Sequence, residues 1–176
     1  MSPTICPKCG GTNTNPSALF RFYCQDCQTD FGGDHQKDLA NTRQILLNTY
    51  QKGAVSQDLT FSKTAAGATI EGPFLCYYPD LPEIYITPQQ WQQLLDDFFK
   101  LHVLDWKPEY CAVATRDDFG WELKIIIEGQ EPVISQGRGL YPPYWNALMS
   151  LFTSIGLPNI GKALKQNFLQ LQIHSS

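Results

Sequence analysis

The sequence predicts an α+β chain: a small N-terminal four-cysteine module, then a domain of antiparallel β-meanders packed with amphipathic helices. Three observations carry this prediction. Cys6, Cys9, Cys24 and Cys27 form two Cys-x-x-Cys pairs within the run CPKCGGTNTNPSALFRFYCQDC. Beyond residue 55, short strand patterns recur between Gly, Pro and Asp turns, most clearly at Trp121, Leu123, Ile125 and Ile127, which alternate with Glu122 and Lys124. Helical patterns with recognisable caps interrupt them, best seen from Thr87 onward. The expected organisation is a module over 1–32 and an α+β domain over 33–176, with an internal division near 87.

Fourteen residues separate the two cysteine pairs, a spacing that lets four thiolates converge tetrahedrally on one ion. Pro7 fits a tight knuckle turn, and Gly10-Gly11 lets the chain fold back so that backbone N–H groups face the sulfurs. The segment Leu19-Phe20-Arg21-Phe22-Tyr23 is β-rich, and Phe31 is placed to cover the metal with Phe20 or Phe22. A module this small builds little core, so the ion should supply much of its folding free energy. The expected cofactor is one zinc ion. Iron in a rubredoxin-like site and a redox-active dithiol pair would use the same four residues. Four protein ligands leave no open position for water, which favours a structural role over a catalytic one.

CPKCGG, Phe22-Tyr23 ahead of CQDC, and Phe31 after it resemble the zinc-ribbon family over about the first 32 residues. The resemblance implies that Cys6, Cys9, Cys24 and Cys27 are all ligands. The chain departs from the family at Gln28, where glycine is common.

After a hinge at Gly32-Gly33, Asp34 is expected to cap a helix reaching about Lys52, with Leu39, Leu46 and Tyr50 near one face and Gly53 as its stop. Residues 55–86 read as three or four antiparallel strands. Thr87-Pro88-Gln89-Gln90 is a helix start with a capping box, followed by Trp91, Leu94, Leu95, Phe98 and His102 at helical spacing. A strand over 110–115, a turn at Asp117-Asp118, the strand at 121–127 and a reversal at Gly129-Gln130 follow. Tyr141-Pro142-Pro143 then leads into a helix with Trp145, Leu148, Phe152 and Ile155 on one face, and a last helix is expected over 159–172. Trp121 to Phe152, with its Trp, glycine and Tyr-Pro-Pro-x-Trp steps, resembles a segment of uncharacterised bacterial proteins; this implies a shared fold unit with no attached activity.

The formal charge is −4, and four thiolates around one divalent ion would make it more negative, so no strongly basic nucleic-acid footprint exists at the whole-chain level. The N-terminus has no apolar h-region, and no apolar run is long enough to span a membrane. Metal-bound thiolates beside the lone Cys76 and Cys111 point to a reducing, cytoplasmic setting. Elsewhere the polar candidates are scattered. Arg138, Glu122, Tyr141 and His102 would have to meet in a pocket to make an enzyme. His102 with Cys111 is better explained by packing, and Asp96-Asp97 point about 100° apart on a helix. The expectation is a non-catalytic zinc-binding protein whose partner is another protein. A nucleic-acid-associated regulator or mobile-element accessory factor is the alternative, and an enzyme is third. No membrane partner is expected.

Overall fold

The protein is described here from a computed structural model, which covers residues 4–54, 56–72, 75, 78, 80–111 and 119–161. The first three strands, β1 (Thr14–Ala18), β2 (Arg21–Cys24) and β3 (Thr29–Gly32), make a small antiparallel sheet. Phe22 lies opposite Phe31 across β2 and β3, and their rings stack at 5.5 Å. Phe31, Cys6 and Cys24 form a hydrophobic cluster of their own, separate from the main core. Leu19 and Phe20 make the β1–β2 turn, with Phe20 in the left-handed region at φ 59° and its carbonyl accepting from the Gly33 N–H.

The expected helix from Asp34 to Lys52 is a correction. Only α1 (Gln36–Asn41) is helical, and the chain turns directly into β4 (Thr42–Tyr50). Leu39, Leu46 and Tyr50 are spaced like one helix face, but a second period competes with them. Ile45, Leu47 and Thr49 are buried at every second position, and Thr42, Ile45 and Thr49 are β-branched, which favours extended backbone. Pairing on both edges decides the contest, since β4 bonds to β5 (Gln57–Thr64) on one side and β8 (Gly120–Ile127) on the other. Leu39 alone joins the core from α1, while Leu46 and Tyr50 face away from it.

β4 is thus an inner strand of a six-stranded sheet. Its order is β6-β5-β4-β8-β9-β7, with β6 at Gly67–Glu71, β7 at Glu109–Cys111 and β9 at Val133–Arg138. Strands from both sides of residue 87 share this sheet. The α+β class holds, but the two expected meanders are fused, and β7 runs parallel to β9. α2 (Pro88–Phe99) starts with the predicted capping box: the Gln90 N–H donates to Thr87 Oγ1, and the Thr87 N–H to Gln90 Oε1. α3 spans Trp145–Ser154.

One face of the sheet carries Ile45, Leu47, Leu59, Phe61, Trp121, Leu123, Ile125 and Ile127 into a core shared with α2 and α3. Fully burying one such side chain stabilises by roughly 1.5–3 kcal/mol. The other face presents Gln44, Asn48, Thr60, Glu122 and Lys124 at half-buried positions. Gly137 lies in β9. A Cβ there would stand 2.5 Å from Trp121 Nε1, so the glycine is what lets the indole lie flat and donate to the Leu140 carbonyl at 2.8 Å. The expected turn at Asp117-Asp118, the strand beyond Cys111, Cys76 and the helix expected over 159–172, from residue 162 on, lie outside the described residues.

Candidate metal centre

Two knuckles bring the four cysteines together. In the first, the Cys6 N–H donates to the Gly11 carbonyl and the Gly10 N–H to the Cys6 carbonyl, both at 2.9 Å, closing a tight loop around Pro7 and Lys8. Gly10 has φ 77°, which its missing Cβ permits. The second knuckle places Gln28 in the same conformation, at φ 56°, one residue after Cys27 as Gly10 is one residue after Cys9. The departure noted at Gln28 is therefore a side chain held where glycine is cheapest.

All four sulfurs lie within 4.8 Å of one another. Cys6 Sγ is 3.7 Å from Cys27 Sγ, and Cys9 Sγ is 3.6 Å from Cys24 Sγ. Sulfurs about 2.3 Å from a common ion at tetrahedral angles stand about 3.8 Å apart, so this set could hold a metal ion. Around it, the Gly11 N–H donates to Cys9 Sγ at 3.3 Å, and the Thr29 hydroxyl lies 3.1 Å from Cys27 Sγ. These contacts act on the thiols unequally. Thr29 is the main reason the Cys27 thiol is lowered to about 7. Desolvation is the main reason the Cys9 thiol is pushed up to about 12, although its residue reaches solvent, and desolvation also raises Cys6. Cys27 is accordingly ahead of Cys6 and Cys9 in becoming a thiolate, the form a metal requires.

The module is seated on the sheet domain through its first knuckle. Tyr144, just before α3, donates to the Ile5 carbonyl at 2.7 Å, and Tyr110 in β7 donates to the Pro7 carbonyl at 2.9 Å. Burial raises the pKa of both tyrosines, and the Cys6 sulfur nearby adds to it. The Gly32 N–H donates to Asp105 Oδ2 at 2.9 Å. His102 fills the seam, its ring edge-on to Phe31 at 5.2 Å and beside Tyr144 at 5.6 Å. Sequence reasoning placed His102 on the face of α2. In fact α2 ends at Phe99, and His102 adopts φ 53°, which turns the chain toward the module. The Tyr-Pro-Pro step was legible as a motif. That Tyr144 grips the first knuckle was not, because a residue 139 positions away from its acceptor leaves no local signal.

The other candidates do not converge. Glu122 and Arg138 share the open sheet face, whereas His102 is in the seam and Tyr141 lies between the tilted rings of Phe119 and Trp145. Cys111 is exposed and its thiol donates to Glu109, which raises its pKa, while His102 is enclosed by aromatics. Asp96 and Asp97 accept from Gln92 and Gln93 one helical turn earlier, an ordinary solvated face. A groove of about 480 Å³ beside β6 is lined by residues including Ala68, Ile70, Leu81, Ile84 and Leu157, and Glu83 is the one charged residue among those lining it. No helix among the described residues is long and apolar enough to cross a membrane. Comparison with family models, curated proteins and solved structures yields no match, so the metal-binding capacity of this cysteine cluster stands on its geometry alone.

Proposed function

We propose that the chain is a zinc-ribbon protein in which Cys6, Cys9, Cys24 and Cys27 hold one structural zinc ion, and that the ribbon serves as a docking element for another protein in the cytoplasm. The single observation that carries the metal half is the pair of sulfur–sulfur distances, 3.6 and 3.7 Å, in a cluster built from two knuckles. Four thiolate donors suit zinc and leave it no vacancy for water or substrate, which makes the role structural. Native mass spectrometry with elemental analysis tests this. One zinc per chain, displaced by chelator, is the expected result. A red, iron-containing protein would replace zinc with iron, and a metal-free chain would end the reading.

The docking half is supported by the β1–β2 turn. Leu19 is 79% exposed and Phe20 is 60% exposed. A bulky residue at positive φ is uncommon and strained. Exposed aromatic anchors are typical of protein interfaces, whereas a net charge of −4 disfavours a phosphate backbone. Cross-linking in cells followed by comparison with a Leu19→Ser/Phe20→Ser variant checks it. Loss of a specific protein cross-link is expected. Unchanged cross-links would sink the docking role, and a salt-dependent shift of a DNA or RNA probe would replace it with the nucleic-acid alternative.

A further inference from the structure

We infer that Tyr110 and Tyr144 are positioning residues for the metal centre, fixing the peptide carbonyls on both sides of Cys6 so that zinc binding and seating of the module are one linked equilibrium. The inference rests on the metal reading above. Cys6 lies between Ile5 and Pro7, and these are the two residues whose carbonyls the tyrosines hold, at 2.7 and 2.9 Å. Neither hydroxyl touches a sulfur. Each instead pins one end of the short segment that carries the sulfur, so Cys6 cannot shift without lengthening one of the two bonds. Cys6 is fully buried and Pro7 is buried with it; the Tyr110–Pro7 bond is buried too, where hydrogen bonds are stronger than on a surface, while the Tyr144–Ile5 bond lies at the solvent edge.

The tyrosines are themselves held. The Tyr110 hydroxyl also accepts from the Lys107 N–H at 3.0 Å, while its ring lies against Trp121 at 5.7 Å. Tyr144 stands directly before α3, and the Pro143 beside it bounds the space next to Gly10. The two grips reach the knuckle from β7 and from α3, elements far apart in sequence that meet only in the folded sheet domain. Partners that orient first ligands in this way commonly matter 10–100-fold for metal affinity. Thermodynamic linkage makes the effect reciprocal: whatever the seat contributes to zinc binding, zinc returns to the seat.

The test uses the full chain with zinc as the probe. Tyr110→Phe and Tyr144→Phe keep the rings and remove only the hydroxyls. Chelator competition should show affinity about 10–100-fold weaker in the double variant, with each single variant in between. Tyr50→Phe, on the open face, should bind as the wild type does. Withdrawing zinc from the wild type should raise amide exchange across 103–111 and 144–148, and this zinc-dependent protection should be absent in the double variant. The melting temperatures of wild type and double variant should differ far more with zinc than without it, where the Lys107–Tyr110 bond accounts for the difference; a merely structural role for the hydroxyls would give the same difference in both states. Wild-type affinity in a folded double variant overturns the linkage and leaves the metal reading standing. Exchange in the wild type that ignores zinc overturns it equally, even if the double variant does not fold. A wild-type chain that takes up no zinc overturns both.

Discussion

The two knuckles share a Cys-x-x-Cys spacing and a left-handed residue after the second cysteine, yet they live in different surroundings. The first has Cys6 and Pro7 buried under the sheet domain, both flanking carbonyls held by tyrosines, and glycine at the left-handed position. The second has Gln25, Asp26 and Gln28 exposed, a side chain at the left-handed position, and a local hydroxyl, Thr29, as its sulfur's partner. The first knuckle is gripped directly by the rest of the chain, whereas the second meets the domain through its hairpin, where Gly32 bonds to Asp105 and Phe31 lies against His102. Equal cysteine spacing therefore does not mean equal roles: on the proposed zinc reading, the first knuckle would couple the metal to the fold, and the second would complete the coordination.

The largest expected effect comes from breaking both halves at once through the metal. Cys9→Ser should abolish zinc binding, and with it stabilisation on the order of 10 kcal/mol in apparent binding free energy. Far-UV circular dichroism should still report most of the helix and sheet signal, because Phe31 and the cysteines form a cluster separate from the core of α2, α3 and the sheet. Collapse of the whole chain on this substitution would mean that the seat, rather than the sheet domain's own core, holds the fold together.

Next in size is the packing that joins the module to the domain through β3. Phe31 is 1% exposed and meets both Phe22 and His102. Phe31→Ala should destabilise by about 3–5 kcal/mol by chemical denaturation. The loss should show in the module and at the seam first. A cost below about 1 kcal/mol would indicate that the module and domain are held by their hydrogen bonds alone.

How much of this was legible follows from how local each signal is. The cysteine pairs, the Thr87 capping box and the Trp121–Ile127 alternation are each written within a few residues, and each appears as read. β4 was missed because its nine residues satisfy two periods at once, and only pairing with β5 and β8, from distant parts of the chain, selects the strand. The parallel pairing of β7 with β9 is likewise a property of the assembled sheet. At the candidate centre the four sulfurs were plain, but the seat built from Tyr110, Tyr144, Asp105 and His102 was not. None of these contacts leaves a local signal, because the hydrogen-bond or ring partner of each residue lies many residues away.

A smaller effect should distinguish the seam from the solvent-facing knuckle by pH. Burial holds His102 below its ordinary value of 6.5, with the Asp105 carboxylate acting in the opposite direction and His35 adding slightly to the depression. The folded protein thus keeps the ring neutral where the unfolded chain has begun to bind a proton. The corresponding stability is fully present above about pH 6.5 and is lost as the pH falls below it toward the depressed folded value. Melting temperature measured from pH 8 to 5 should fall more steeply for the wild type than for His102→Gln. Comparing the two slopes removes the acid lability of the thiolates, which both proteins share. Parallel slopes would show that the ring is not buried in the seam in solution.

The smallest effect bears most directly on the two knuckles. A non-glycine residue in the left-handed region costs roughly 1–2 kcal/mol, part of which glycine gives back through the larger entropy of its unfolded chain. Gln28→Gly should therefore stabilise the metal-loaded protein by about 0.5–1 kcal/mol in denaturant titration. The reverse exchange should mirror it. At Gly10, exposed like Gln28, a new Cβ would meet Pro143 at 3.5 Å, an ordinary van der Waals contact. Gly10→Ala should thus carry the left-handed penalty without a clash, costing about what Gln28→Gly gains. A cost well above that gain would show that the domain constrains the first knuckle beyond its backbone conformation.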